Sequence, residues 1–209
     1  MTTTYDVHAH CIPTALIDLL RADGARFGIE IADDGQDEYA VLAGRVRLAP
    51  FRPFLSDMEA RLAKMDETGV DVQLISSWID LSAYALEGQA GAEYSRRFNE
   101  ILTEEAARHP DRLLALGTVP LQAPELAARE LEHAVRDLGM AGAQIATTVD
   151  GKPATGDATC FRGLRGAGWD QDAGMMQLTS RGRNRSTLRS RSVGFRVVRR
   201  FDAADRICP

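Results

Sequence analysis

Residues 5–13 read YDVHAHCIP, and the reading of this stretch decides how the rest of the chain is understood. A short apolar run carries two histidines, His8 and His10, and is closed by Pro13. Side chains alternate along a strand, so on a strand both imidazoles face one side. Two imidazoles projected from one strand end are half of a transition-metal site. By the same alternation Cys11 turns away from His10, as a buried thiol. Asp6 shares the face of His8, as an outer partner or a further weak donor. The plainer reading is a chance H-x-H in a loop, because the motif by itself has little specificity. The sequence around it has to decide.

Downstream, strand-like and helix-like segments alternate. Residues 14–22 (TALIDLLRA) have helical spacing, with Thr14 as a cap and Gly24 as a stop. Residues 27–48 have strand character broken at Asp33-Asp34-Gly35, which predicts a small inserted hairpin with an acidic turn. The segment PFRPF at 50–54 is an extended linker, held so by its prolines. Ser56 and Glu59 form an S-x-x-E capping box that opens a helix ending at Gly69. Residues 70–76 predict a second strand, 90–108 a helix, 113–119 a third strand, 124–138 an amphipathic helix and 141–147 a fourth strand. On the helix at 124–138, Ala127, Leu131, Ala134, Val135 and Leu138 share the apolar face. Four βα repeats argue for a parallel sheet with right-handed crossovers. They amount to half of an eight-stranded barrel, which takes about 250 residues.

The 209 residues suffice for one sizeable core. Hydrophobic content of 44% and charge of 26% are ordinary for a globular chain. No apolar run reaches the roughly 18 residues of a membrane span. The start MTTTYDVH lacks the features of a secretory signal. Three scattered cysteines (Cys11, Cys160, Cys208) suggest no disulfide framework, so the cytoplasm is the default location. Charge is uneven. Residues 1–154 hold 14 Lys/Arg against 25 Asp/Glu, a net of −11, whereas 155–209 hold 11 Arg and 5 Asp, a net of +6. The chain is therefore read as two parts, 1–154 and 155–209. The second part is rich in Arg, Gly and Ser and shows weak strand character only at 193–198. It is expected to be disordered. It lacks aromatic interleaving or any nucleic-acid motif, so neither nucleic acid nor membrane is an expected partner.

The motifs of residues 5–152 resemble, block by block, the amidohydrolase superfamily and within it the branch of aminocarboxymuconate-semialdehyde decarboxylase. The blocks are D-x-H-x-H-x-x-P at 6–13, F-R-P at 51–53, M-D-x-x-G-V-D-V-Q at 65–73, H-P-x-R at 109–112, L-G-x-V-P-L-Q at 116–122 and the E-L…L-G-x-x-G-x-Q-I run at 130–145. The resemblance implies the N-terminal half of a (β/α)8 TIM-type barrel with a hairpin insertion. It implies a divalent metal, by preference zinc, on His8 and His10. It implies a small unsaturated carboxylic acid as substrate, clamped by Arg52, since a guanidinium fork matches a carboxylate. Trp78, just past the second strand, is expected either to wall the pocket or to pack in the core.

The resemblance also exposes what is missing. Family members add a metal-binding histidine on strand five, an acid/base histidine on strand six and an aspartate on strand eight. The last histidine here is His133, and His109 and His133 read as structural or solvent-facing. No catalytic residue is therefore identifiable, and the metal shell stays short of the usual three protein donors. The expected function is a metal-dependent decarboxylase that is catalytically incomplete. The alternatives are a lactone or amide hydrolase of the same superfamily and an inactive half-barrel remnant. A frameshift after about residue 153 would explain the change of composition, since one βα unit spans roughly 30–40 residues and the fifth is absent. A homodimer pairing two half-barrels is a further expectation.

Overall fold

In the computed structural model, residues 3–44, 46–48, 51, 53–82, 84–146, 148–149, 152–153, 161–165, 181–185 and 195–196 are described. Two compact units are present, Met1–Gln144 and Ile145–Pro209.

In the first unit, strands β1 (Tyr5–His10), β5 (Val72–Ser76), β6 (Leu113–Gly117) and β7 (Gly142–Ile145) pair in parallel in that spatial order. Sequential parallel neighbours joined by helices are the opening of a βα barrel. The connecting helices are α1 (Thr14–Asp23), α3 (Met58–Thr68), α4 (Gly88–Ala107) and α5 (Pro124–Arg136). Between α1 and α3 lie the antiparallel strands β2 (Ile29–Asp33), β3 (Glu38–Leu42) and β4 (Val46–Arg47), then the short α2 (Pro53–Ser56). The predicted hairpin is thus a three-stranded flap. Its acidic turn closes as read: Asp33 accepts from the Gly35 amide, Asp34 accepts from the Gln36 and Asp37 amides, and Gly35 sits at φ 89°.

The core lies between the sheet and its helices. Ile12, Leu16, Ile29, Ile75, Leu81, Tyr94, Phe98 and Leu102 are fully buried there. Three local signals resolve differently from the sequence reading. Thr14 is not the cap of α1: Pro13 precedes the helix with no side-chain bond. Gly24 does close α1, as its C-cap, and a 3-10 turn, Gly24–Phe27, follows before Gly28 turns left-handed at φ 76°. Space also calls for a glycine at 24, because a Cβ there would stand 2.5 Å from the Ile29 carbonyl oxygen. The cap of α3 is Asp57, which accepts from the Ala60 amide at 2.9 Å, while the Ser56 hydroxyl donates to the Ile12 carbonyl. On α5 the buried positions are Ala127, Glu130 and Ala134, and Leu131 and Val135 are 42% and 43% exposed. Glu130 goes inward because Arg96 and Asn99 of α4 supply its partners.

In the second unit, Thr148–Val149 pairs with Lys152–Pro153 and Phe161–Arg165 pairs antiparallel with Arg181–Arg185. Neither of the latter strands was legible in the sequence, which showed strand character only near Val193. Phe195–Arg196 is a short strand there. The remainder of the tail, and with it most of the expectation of disorder, lies outside the described residues.

Candidate metal site at the end of the first strand

His8 and His10 stand at the C-terminal end of β1, the end at which βα barrels carry their chemistry. Their rings lie edge to face, centroids 4.9 Å apart at 74°. Alternation along the strand puts both rings on one side, and the register of β1 against β5 slips upstream of Ala9. Asp6 aligns with Gln73, but Ala9 aligns with Ile75, so three residues of β1 advance against two of β5. This is a β-bulge, which re-aims side chains by breaking the period of two.

Asp6 stands as an outer partner of the histidine segment rather than as a further donor. Its carboxylate turns to the Gln73 side chain, 2.8 Å away, and accepts from the His8 amide at 3.0 Å. It does not join the imidazoles as a third donor. Cys11 is fully buried, and burial pushes its thiol up to about 11, with Arg61 opposing and Glu105 adding to the rise. A protonated, enclosed thiol is a poor ligand.

The imidazole of His10 is fixed from outside. Its Nδ1 lies 2.9 Å from the Ser77 carbonyl oxygen. A carbonyl can only accept, so Nδ1 carries a proton, and a neutral ring in this orientation has its lone pair on Nε2. A backbone carbonyl on the second ring nitrogen is the usual support for a metal-binding histidine. The pair therefore fits two positions of a divalent-metal shell. Among the described residues no group of three His, Cys, Asp or Glu is placed to hold a metal. A catalytic zinc centre takes three.

The backbone around the pair is pinned. The Cys11 amide donates to the Ser76 carbonyl, and the Ile12 amide to Leu55. The Ser76 hydroxyl donates to the Ala9 carbonyl. Trp78 packs against the core cluster, and its carbonyl accepts from the Ser77 hydroxyl and the Leu81 amide. Arg52 lies outside the described residues. His109 and His133 are remote from the pair in the chain, and His133 bonds Asp137 one turn along its own helix at 2.8 Å. Among the described residues, surface clefts of about 450 and 300 Å³ are lined by neither His8 nor His10.

Sequence reasoning missed Arg61 and Gln73. Arg61 donates to the Gln73 side-chain oxygen and to the His10 carbonyl, both at 2.7 Å. A signal existed: Arg61 lies one helical turn before the buried Met65, so it shares the inward face of α3.

A family model described as Amidohydrolase matches residues 5–170, beyond residue 152 where the quoted motifs end. A gamma-resorcylate decarboxylase of Rhizobium radiobacter is 39% identical over 95 residues, which cover 44% of this chain and 28% of that protein. A 2-amino-3-carboxymuconate-6-semialdehyde decarboxylase of Dictyostelium discoideum is 27% identical over 96 residues, 46% of this chain and 27% of that protein. The crystal structure of a 5-carboxyvanillate decarboxylase from Sphingomonas paucimobilis superimposes with a TM-score of 0.52 and 25% identity, over 71% of this chain and 44% of that one. The chain thus spans less than half the length of these relatives. No described helix is long and apolar enough to cross a membrane. A parallel run of βα units, a histidine pair at the end of its first strand and a family match over most of the sequence agree, and the chain belongs to the amidohydrolase family.

Proposed function

We propose that this chain carries the metal-anchoring half of a decarboxylase that acts on a small aromatic or unsaturated carboxylic acid. The observation that supports this most directly is the edge-to-face pair of His8 and His10, with His10 held by the Ser77 carbonyl. A divalent metal on that pair, zinc by preference, would supply Lewis-acid polarisation of a bound oxygen. His8 and His10 hold and orient it, and Arg52 receives the substrate carboxylate as a fork. Trp78, which packs against the core cluster just past β5, would wall the substrate pocket. The same arrangement serves hydrolysis of a lactone or amide, and the names of the relatives favour decarboxylation. The compartment is the cytoplasm.

A specific observation favours a second reading, an inactive remnant: among the described residues no third donor joins the pair, and no histidine follows His133. One way round the deficit is a homodimer of half-barrels, in which a second copy supplies the missing strands. The tail is a frameshifted stretch. The change of composition after about residue 153 supports that reading, and a family match that runs on to residue 170 weighs against so early a change. Re-reading the coding DNA in its other frames tests this, and it fails if no frame restores a histidine-bearing strand.

The deciding experiment loads the purified chain with zinc or manganese. It then measures metal per chain, mass by light scattering, and carbon dioxide release from 2,6-dihydroxybenzoate and 5-carboxyvanillate. Turnover that disappears in His10→Ala supports the decarboxylase. Retained metal without turnover, or no retained metal, supports the remnant. A monomer excludes the paired half-barrels.

A further inference from the structure

A closed circuit of side chains lies behind the histidine strand, on the side that faces α3. Arg61 donates through one terminal nitrogen to the Gln73 side-chain oxygen and through the other to the His10 carbonyl. Gln73 donates to Asp6, and Asp6 accepts from the His8 amide. The circuit thus grips the His-Ala-His segment at both ends, by the amide of His8 and by the carbonyl of His10. The register of β1 slips against β5 between Asp6 and Ala9, at the His8 end of that segment. A bulge leaves ladder groups unpaired and the strand free to bend. Here the side chain of Asp6, held by Gln73 of β5, takes the His8 amide, and Arg61 of α3 takes the His10 carbonyl.

Arg61 Nε is buried without a partner among the described residues, a cost that its two terminal nitrogens offset by satisfying the Gln73 oxygen and the His10 carbonyl. What only a guanidinium supplies is two divergent donors in one rigid plane, here set on Gln73 and on His10 at once.

We infer that the Arg61–Gln73–Asp6 chain is the device that aims His8 and His10, with Arg61 as a positioning residue for the cation the pair would hold. The cation rests on the function proposed above. The aiming of the rings does not.

The test uses the full chain carrying Arg61→Met, Arg61→Lys or, as a control for general loosening, Asn99→Ala, which weakens the fold away from β1. Two readouts are taken. The first, without metal, is the set of four imidazole carbon–proton resonances and the cross-relaxation between the rings of His8 and His10. The second is zinc affinity by titration calorimetry. Arg61→Met is expected to shift the His8 and His10 resonances, weaken their cross-relaxation and leave those of His109 and His133 in place. Zinc affinity should fall about 10–100-fold, the usual loss when an outer partner of a metal ligand is removed. Arg61→Lys should fall between wild type and Arg61→Met, and it is the variant to read if Arg61→Met fails to fold. Unmoved His8 and His10 resonances in a folded Arg61 variant overturn the inference. So does an equal shift in Asn99→Ala. If the wild-type chain takes up no zinc while the ring shifts still follow Arg61, the positioning role stands and the metal reading falls.

Discussion

Asn99→Ala should cost this fold about 3 kcal/mol, and the structure says where that loss comes from. Asn99 on α4 is fully buried. Its side-chain amide donates to the Thr118 carbonyl and to Glu130, each at 2.9 Å, and its oxygen accepts from the Thr118 amide at 2.8 Å. One side chain therefore satisfies both backbone groups of the residue that follows β6 and ties α4 to α5. Neutral bonds of this kind contribute about 1 kcal/mol each, and one to a charged group about 1.5–3 kcal/mol. Truncation also strands the Thr118 groups, which are buried. Against a total stability of about 5–15 kcal/mol the loss is large. In a chain of this length it lowers the melting temperature by about 6–12 °C. Glu130→Gln is the matched control. Its amide oxygen still accepts from Asn99, while the Arg96 hydrogen bond and charge attraction are lost. The Arg96 side chain is 46% exposed, so the penalty should stay under about 1 kcal/mol. Urea unfolding followed by circular dichroism measures both. The reasoning is refuted if Asn99→Ala unfolds within about 0.5 kcal/mol of wild type, the range of an ordinary surface change, or if Glu130→Gln proves the worse of the two.

Other substitutions probe separate features. Gly24→Ala should destabilise by about 1–3 kcal/mol, since its Cβ would meet the Ile29 carbonyl oxygen at 2.5 Å; a melt equal to wild type would show that the flap can shift aside. Asp57→Ala should cost about 1 kcal/mol by uncapping α3, and Glu59→Ala much less, which chemical denaturation of the two variants compares directly. Cys11 ionises near its ordinary 9.0 when unfolded but only near 11 when buried. The unfolded chain therefore sheds that proton first as pH rises, and stability falls between those values by up to about 1.4 kcal/mol per pH unit. Cys11→Ala should flatten that part of the stability–pH curve. In the native chain Cys11 should also resist alkylation near pH 8, by peptide mass mapping, and react once urea is added.

Much of the architecture is written in local pattern. Strand and helix periodicities alternate along residues 5–145, and periodicity survives in one dimension because it depends only on neighbours in the chain. The histidine pair, its place at a strand end and the absence of any histidine after His133 are likewise plain from residue order. What the order of residues could not decide is which side chains meet across the fold. Asp6 reaches Gln73 across 67 positions, and Arg61 reaches back 51 to the His10 carbonyl. Those meetings hold the Asp6 carboxylate on Gln73 and tie α3 to the histidine segment. The same holds on α5, where the apolar pattern favoured Leu131 and Val135 but Glu130 is buried, because its partners come from another helix. Period fixes which positions of an element could face inward. Packing against elements distant in sequence fixes which of them do, since the free energy of burying a polar group depends on whether a partner is waiting there.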